Sequence, residues 1–366
     1  MLEETLDVYR ELQQHLDKFP VGFPATESGA EIRILKHLFT PEEAKIATRL
    51  SDKFESLDDI YERVKDLVGS TKELKIVLDK MISKGSIHCK KVDGERHYAN
   101  AYIVVGMYEY QLHKLSKEFL EDMRQYAEET LGLELFGYDI TQFRTIPVEA
   151  SVTPEHKLPT YDELVKVIEN ISGPIVLADC LCRQAHEIVE GPCEVTSRKE
   201  TCMGFGDFAQ MYIDEGWGRG ISKEEALEVL RKNEEEGLVL QGENAKRPGF
   251  ICSCCGCCCG VLSTLKEFPN VAQFLHPRYH AEIDPELCVG CGTCIERCQL
   301  DAIKTRKEIS KVNIKRCIGC GNCVAVCPEE AITLFKNEKV PELPEDEDDM
   351  FQKISEAKMK MKAMQK

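Results

Sequence analysis

Cys288-Val-Gly-Cys291-Gly-Thr-Cys294-Ile-Glu-Arg-Cys298 recurs as Cys317-Ile-Gly-Cys320-Gly-Asn-Cys323-Val-Ala-Val-Cys327, every cysteine displaced by 29 residues. The copies also agree at Gly290/Gly319, Gly292/Gly321, Ala302/Ala331 and Ile303/Ile332. Three thiolates at two-residue gaps can wrap one corner of a [4Fe–4S] cubane within a tight loop, and a more distant fourth closes it. In duplicated runs of this spacing the fourth cysteine serves the other run's cluster. The spacing therefore predicts one cluster on Cys288, Cys291, Cys294 and Cys327, and a second on Cys317, Cys320, Cys323 and Cys298. A pair of four-thiolate zinc sites is the competing reading, and the duplicated spacing argues against it.

His280 to Lys336 resembles a two-cluster bacterial ferredoxin, over about one sixth of the chain. One position departs from that family's pattern. Pro328 follows the second run's last cysteine, but Gln299 stands where the first run should have its proline. Proline fixes φ and removes a donor, so Gln299 is expected to alter hydrogen bonding near Cys298.

The 366 residues suffice for two or three domains. The expected class is α+β and multidomain: a helical, winged-helix-like region (1–135), a cysteine-rich middle domain (136–279), the ferredoxin-like domain (280–336), and an acidic linker with a C-terminal amphipathic helix (337–366). The 19 cysteines cluster at metal-ligand spacings and do not form a secreted disulfide framework. Met1-Leu2-Glu3-Glu4 lacks the opening of a signal peptide, and no apolar run is long enough to span a membrane, so a reduced, anaerobic cytoplasm is expected. A formal net charge of −17 argues against a nucleic-acid binder and fits docking to basic redox partners.

In the N-terminal third, an amphipathic helix runs from Met1 to about Phe19. Periodicity and caps then predict helices over Ile32–Phe39, Pro41–Leu50 (capped by Thr40), from Ser56, and from Ser70 or Thr71 to about Ser83. Asp93-Gly94 predicts the turn of a hairpin between Ile87–Val92 and Glu95–Ala99. This order resembles a winged helix. In a DNA-binding member, Lys72, Lys75, Lys80 and Lys84 would face the major groove, but residues 41–100 carry 12 Lys/Arg against 12 Asp/Glu. The balance argues for protein docking over duplex recognition. Cys89 in the hairpin reads as a small apolar filler. Ile103 to about Leu131 is expected to be one long helix. Its stripe of Leu112, Leu115, Phe119, Met123 and Tyr126 would form a homodimer or pack on the chain's own middle domain.

The middle domain should hold an irregular or β crossing over Phe136–Pro147, a helix capped at Thr160, and a strand Ile175–Ala178 that delivers Cys180 and Cys182. Cys193 and Cys202 follow. A helix capped by Ser222 and a strand Leu238–Gln241 come next. Then Cys252-Ser-Cys254-Cys255-Gly-Cys257-Cys258-Cys259 packs six cysteines into eight residues. Neither a disulfide nor a core reading suits this segment. Ten middle thiols could hold two more cubanes with two to spare, or one larger non-cubane assembly; zinc on Cys180, Cys182, Cys193 and Cys202 is the alternative. Cys254-Cys255-Gly256 resembles the Cys-Cys-Gly signature of heterodisulfide-reductase-type non-cubane clusters. As a whole, the order of motifs resembles multi-cluster 4Fe–4S ferredoxin proteins of anaerobes, which implies electron transfer and names no substrate.

The favoured reading is an electron carrier or oxidoreductase subunit. Two alternatives stand beside it: an oxidoreductase with a catalytic cluster at Cys252–Cys259, and a redox-sensing winged-helix regulator.

Overall fold

The computed structural model describes residues 2–151, 164–306 and 308–364. The chain forms two compact units: Met1–Tyr138 with Gln210–Trp217 and Ile354–Lys366, and Asp139–Ala209 with Gly218–Lys353.

The first unit begins with α1 (Leu2–Leu16), α2 (Ala30–Leu38), α3 (Pro41–Ala47), α4 (Leu57–Val64) and α5 (Thr71–Lys84), followed by β1 (Ile87–Val92) and β2 (Glu95–Asn100). Local chemistry sets these boundaries. Thr40 and Glu43 form a reciprocal capping box before α3, with Pro41 in its first turn. Ser56 and Ser70 accept the N–H groups of Asp59 and Glu73. Asp93 and Gly94 both take positive φ between the paired strands, as a two-residue hairpin turn requires. Cys89 is buried in β1.

The long helix expected over 103–131 does not form. Val104, Val105 and Gly106 have non-helical dihedrals, and α6 starts only at Lys117, capped by Ser116, and runs to Tyr126. β-branched residues followed by glycine are poor helix formers, and the Ser116 cap is a local start signal. A π-helical turn (Ala127–Leu131) leads into α7 (Gly132–Phe136). The stripe is also covered. Leu112, Phe119, Met123 and Tyr126 are buried, and Arg33 and His37 of α2 reach Asp122 of α6 at 2.6 and 3.1 Å. The apolar surface invoked for a homodimer is thus used inside this unit.

The second unit is built on an antiparallel six-stranded sheet. Its strands are β3 (Phe143–Ile146), β4 (Ile175–Asp179), β5 (Glu200–Phe205), β6 (Arg219–Ile221), β7 (Val239–Glu243) and β8 (Phe250–Cys254), in the order β3-β7-β8-β5-β4-β6. Between them come α8 (Leu164–Asn170), α9 (Leu181–Val189), α10 (Gly206–Asp214), which belongs to the first unit from Gln210 onward, and α11 (Lys223–Glu235). The Thr160 cap expected for α8 lies outside the described residues. Ile175, Leu177, Met203, Phe205 and Ile251 pack on α8 and α11 in one core. Strand alternation then places Cys202, Cys252 and Cys254 on the opposite face.

After α12 (Gly260–Lys266) and α13 (Ala272–Leu275), the ferredoxin-like portion comprises β9 (Tyr279–Ile283), α14 (Thr293–Arg297), the β10–β11 hairpin (Ile303–Arg306 and Ile309–Val312) and β12 (Ile332–Lys336). β12 pairs with β9, matching Leu334 to Ala281. The last helix, α15 (Glu347–Met364), starts in the acidic run, where carboxylates suit a helix N-terminus. The acidic linker is tied down there: Glu345 and Asp346 pair with Lys246 and Arg247, and Leu343 is buried. No helix among the described residues is long and apolar enough to cross a membrane.

In the first unit the Tyr110 hydroxyl meets Nδ1 of His88, and burial pushes this imidazole down to about 4. A histidine with a depressed folded pKa contributes stability above pH ~6.5 that is lost as pH falls toward 4, because the unfolded chain takes up the proton first. Tyr110 stacks on Trp217 at 5.2 Å, the only tryptophan of the chain. Urea unfolding followed by Trp217 fluorescence should show wild-type protein losing more stability between pH 6.5 and 4 than His88→Gln; equal slopes would refute this role.

Candidate metal centres

The duplicated runs fold into duplicated geometry. One cavity is lined by Cys288, Cys291, Cys294 and Cys327, with Ile283 and Val289 among its apolar walls. A second is lined by Cys298, Cys317, Cys320 and Cys323, with Ile303 and Ile318. In each cavity three thiols come from one run and the fourth from the other. The Ala302 and Ala331 N–H groups, 29 positions apart, donate to Cys298 Sγ and Cys327 Sγ, both at 3.3 Å. Ala281 N–H donates to Cys317 Sγ at 3.4 Å. Such bonds orient ligand sulfurs and tune a group bound to them. Gly290 and Gly319 take positive φ, and a Cβ there would lie 2.0 and 2.2 Å from the carbonyl oxygens of Glu308 and Tyr279. Converging thiols, apolar walls and inward N–H groups fit a cubane in each cavity.

The two cavities differ in surroundings. Cys291 is exposed, and contacts with Thr293 hold its thiol below the usual range. Burial instead pushes Cys320 up to about 12, so metal binding there must displace protons. The second cavity also abuts the middle region. Val148 N–H donates to Cys320 O at 3.0 Å. Asn322 Nδ2 donates to Gly237 O at 3.0 Å and Leu238 O at 3.3 Å. Arg297 donates to Glu234 O at 2.7 Å.

Gln299 has a specific partner. Its Oε1 accepts the Gly256 N–H at 2.9 Å, and a Cβ on residue 256 would lie 2.3 Å from the Gln299 carbonyl oxygen. The residue that replaces the expected proline thus joins the Cys298 segment to the cysteine-rich loop.

The ten middle thiols separate into two groups. Cys193, Cys255, Cys257 and Cys258 have sulfurs all within 4.8 Å of one another, and Leu238 packs beside them. The other six are electrostatic neighbours in a closed series: Cys180 with Cys182 and Cys202, Cys182 with Cys259, Cys259 with Cys254, Cys254 with Cys252, and Cys252 with Cys202. Register explains part of this ring, since Met203 pairs with Ile251 and so sets Cys202 beside Cys252 on neighbouring strands. Cys180 and Cys259 stand immediately before the first turns of α9 and α12. The four cysteines proposed from sequence for zinc are therefore divided, with Cys193 in one group and Cys180, Cys182 and Cys202 in the other.

Arg183 lies between the groups at 5 % exposure. It donates to Thr201 Oγ1, and to Ser253 O at 2.8 Å. Burial opposes its charge, yet Cys180, Cys202 and Cys255 hold its pKa above the ordinary value. Its Nε has no partner among the described residues, leaving a donor beside the thiols. Arg183, next to Cys182, is legible in the sequence as a local offset of anionic charge; its place between the two groups, and Asn322 as a bridge, are not.

Residues 281–334 match the family model of a 4Fe-4S dicluster domain. A second model of the same description matches residues 316–362. This is an iron–sulfur, ferredoxin-type module, the kind that passes electrons to partner proteins. Compared with curated proteins, the chain finds no match.

Adding a methyl group at the junction tests its packing. Gly256→Ala should destabilise the holoprotein by about 1–3 kcal/mol, as overpacking against backbone does. Gly260→Ala, with nothing within 4 Å of the added carbon, should not. Urea unfolding monitored by cluster absorbance distinguishes them, and equal midpoints would contradict the contact.

Proposed function

We propose that this protein is an electron carrier or oxidoreductase subunit whose ferredoxin-like portion exchanges single low-potential electrons with a further centre held by the middle thiols. In this reading Cys288, Cys291, Cys294 and Cys327 hold one cubane, and Cys298, Cys317, Cys320 and Cys323 hold the other. The six-thiol ring of Cys180, Cys182, Cys202, Cys252, Cys254 and Cys259 holds a further iron–sulfur cluster. Bound clusters supply one-electron redox chemistry.

The observation that carries the reading is the Gln299–Gly256 hydrogen bond. It links the residue after Cys298 to the residue between Cys255 and Cys257. The chain's own groups do the rest: backbone N–H groups donate to the Cys298, Cys317 and Cys327 sulfurs, apolar walls exclude water, and Arg183 offsets negative charge among the middle thiols. Leu287 and Val289 are 51 % and 63 % exposed beside Cys288 and Cys291, so a redox partner would approach this end. The net charge of −17 favours a basic partner. The first unit, in which residues 41–100 carry 12 Lys/Arg against 12 Asp/Glu, would dock protein and not duplex DNA. A reduced, oxygen-poor cytoplasm suits the whole thiol set.

Two variants test this reading. Cys298→Ala should cost the cluster of Cys317, Cys320 and Cys323 and spare the one held by Cys288, Cys291 and Cys294, as resolved by EPR; loss of the other cluster would reverse the assignment. Gln299→Pro restores the pattern seen at Pro328 and should keep both cubanes while slowing electron exchange with the middle centre severalfold, read by stopped-flow reduction of anaerobic holoprotein. Equal rates would remove Gln299 from the route, and no exchange in wild-type protein would refute the reading itself.

A further inference from the structure

The sulfur spacing distinguishes the two middle groups chemically. Cys193 Sγ lies 3.6 Å from Cys255 Sγ and 3.8 Å from Cys257 Sγ, and the Cys257 and Cys258 sulfurs are 3.5 Å apart. Metal–sulfur bonds of about 2.3 Å at tetrahedral angles place thiolates about 3.8 Å from each other. Three of the six pairs are already near that separation, and all six lie within 4.8 Å. A cubane spaces its thiolates more widely, because each binds a different iron at a different corner. The same molecule supplies the comparison. Among the described residues, Cys193, Cys255, Cys257 and Cys258 form the one group of candidate ligands gathered within 4.8 Å. The eight thiols of the ferredoxin cavities and the six of the ring have no such gathering.

The chain path supports the same division. Cys252 and Cys254 leave β8 on one face of the sheet and join the ring. The loop then turns Cys255, Cys257 and Cys258 toward Cys193, and Cys259 returns to the ring at the start of α12. One loop thus serves two sites by alternation.

We propose that Cys193, Cys255, Cys257 and Cys258 hold a single tetrahedral metal ion, zinc or iron, and not an iron–sulfur cluster. The inference rests on the metal-bearing reading of the middle region, but not on electron exchange between the two parts. Four thiolates close the coordination sphere and leave no position for substrate. The ion ties the Cys193 loop to the loop that carries Gly256, and so fixes the junction with Gln299. Zinc would serve only as that tie; iron would add a one-electron site at the same place.

The test is metal analysis of the full chain, produced anaerobically with both zinc and ⁵⁷Fe available. Cys257→Ala should lower the metal content by about one ion per chain, with the EPR signals of the ferredoxin cubanes unchanged. In wild-type protein, X-ray absorption at the zinc edge should show four sulfurs at about 2.3 Å and no neighbouring metal. If the ion is iron, Mössbauer spectra should instead show a mononuclear tetrathiolate component that the variant lacks. Loss of about four irons, the content of one cubane, would overturn the proposal. So would unchanged metal content, or wild-type spectra with no mononuclear site. Electron exchange is measured separately, so its absence would leave these results standing.

Discussion

Metal–thiolate bonding is the interaction on which the proposed account of the second unit depends. Every cysteine except Cys89 lies in that unit, and burial raises thiols such as Cys255 and Cys320 to about 12. A crowd of protonated thiols contributes little to a core, whereas coordination deprotonates them and converts binding energy into folding energy. The residues around them make sense in those terms: Ala281, Ala302 and Ala331 aim N–H groups at sulfur, and Arg183 is buried among thiols with its Nε unpartnered among the described residues.

The internal repeat gives two equivalent cavities, and the rest of the unit makes them inequivalent. Cys291 is exposed beside Leu287 and Val289. The second cavity is pressed against the middle region by Val148, Asn322, Arg297 and Gln299. The local symmetry of the runs is broken where Gln299 replaces proline, and that is where the cysteine-rich loop arrives. A side-chain acceptor is useful there because the Gly256 N–H needs a partner in a place that water reaches poorly.

What was legible in the sequence follows from how local each signal is. Cysteine spacing within a run is local, so three thiols of each ferredoxin cavity could be grouped from it, and the crossed fourth followed from the duplication of the run. The Thr40, Ser56 and Ser70 caps and the Asp93-Gly94 turn are equally local, and those elements form where they were expected. The grouping of the ten middle thiols was not legible, because it depends on the register between β5 and β8 and on a loop that alternates between two sites. The stretch from Ile103 misled for a related reason: apolar spacing from Leu112 to Tyr126 mimics one helix, while Val104, Val105 and Gly106 refuse helical geometry and Ser116 starts a new one. Gln299 was visible as an anomaly, but its partner lay 43 residues away in sequence.

The central claim is that the middle thiols carry metal of their own beyond the ferredoxin-type clusters. Iron and zinc counting of anaerobically prepared, full-length protein, with Mössbauer spectroscopy on the same sample, tests it most directly. The account expects clearly more than the roughly eight irons of two cubanes, with spectral components distinct from theirs. A preparation with fully formed ferredoxin clusters, about eight irons and no other bound metal would contradict it.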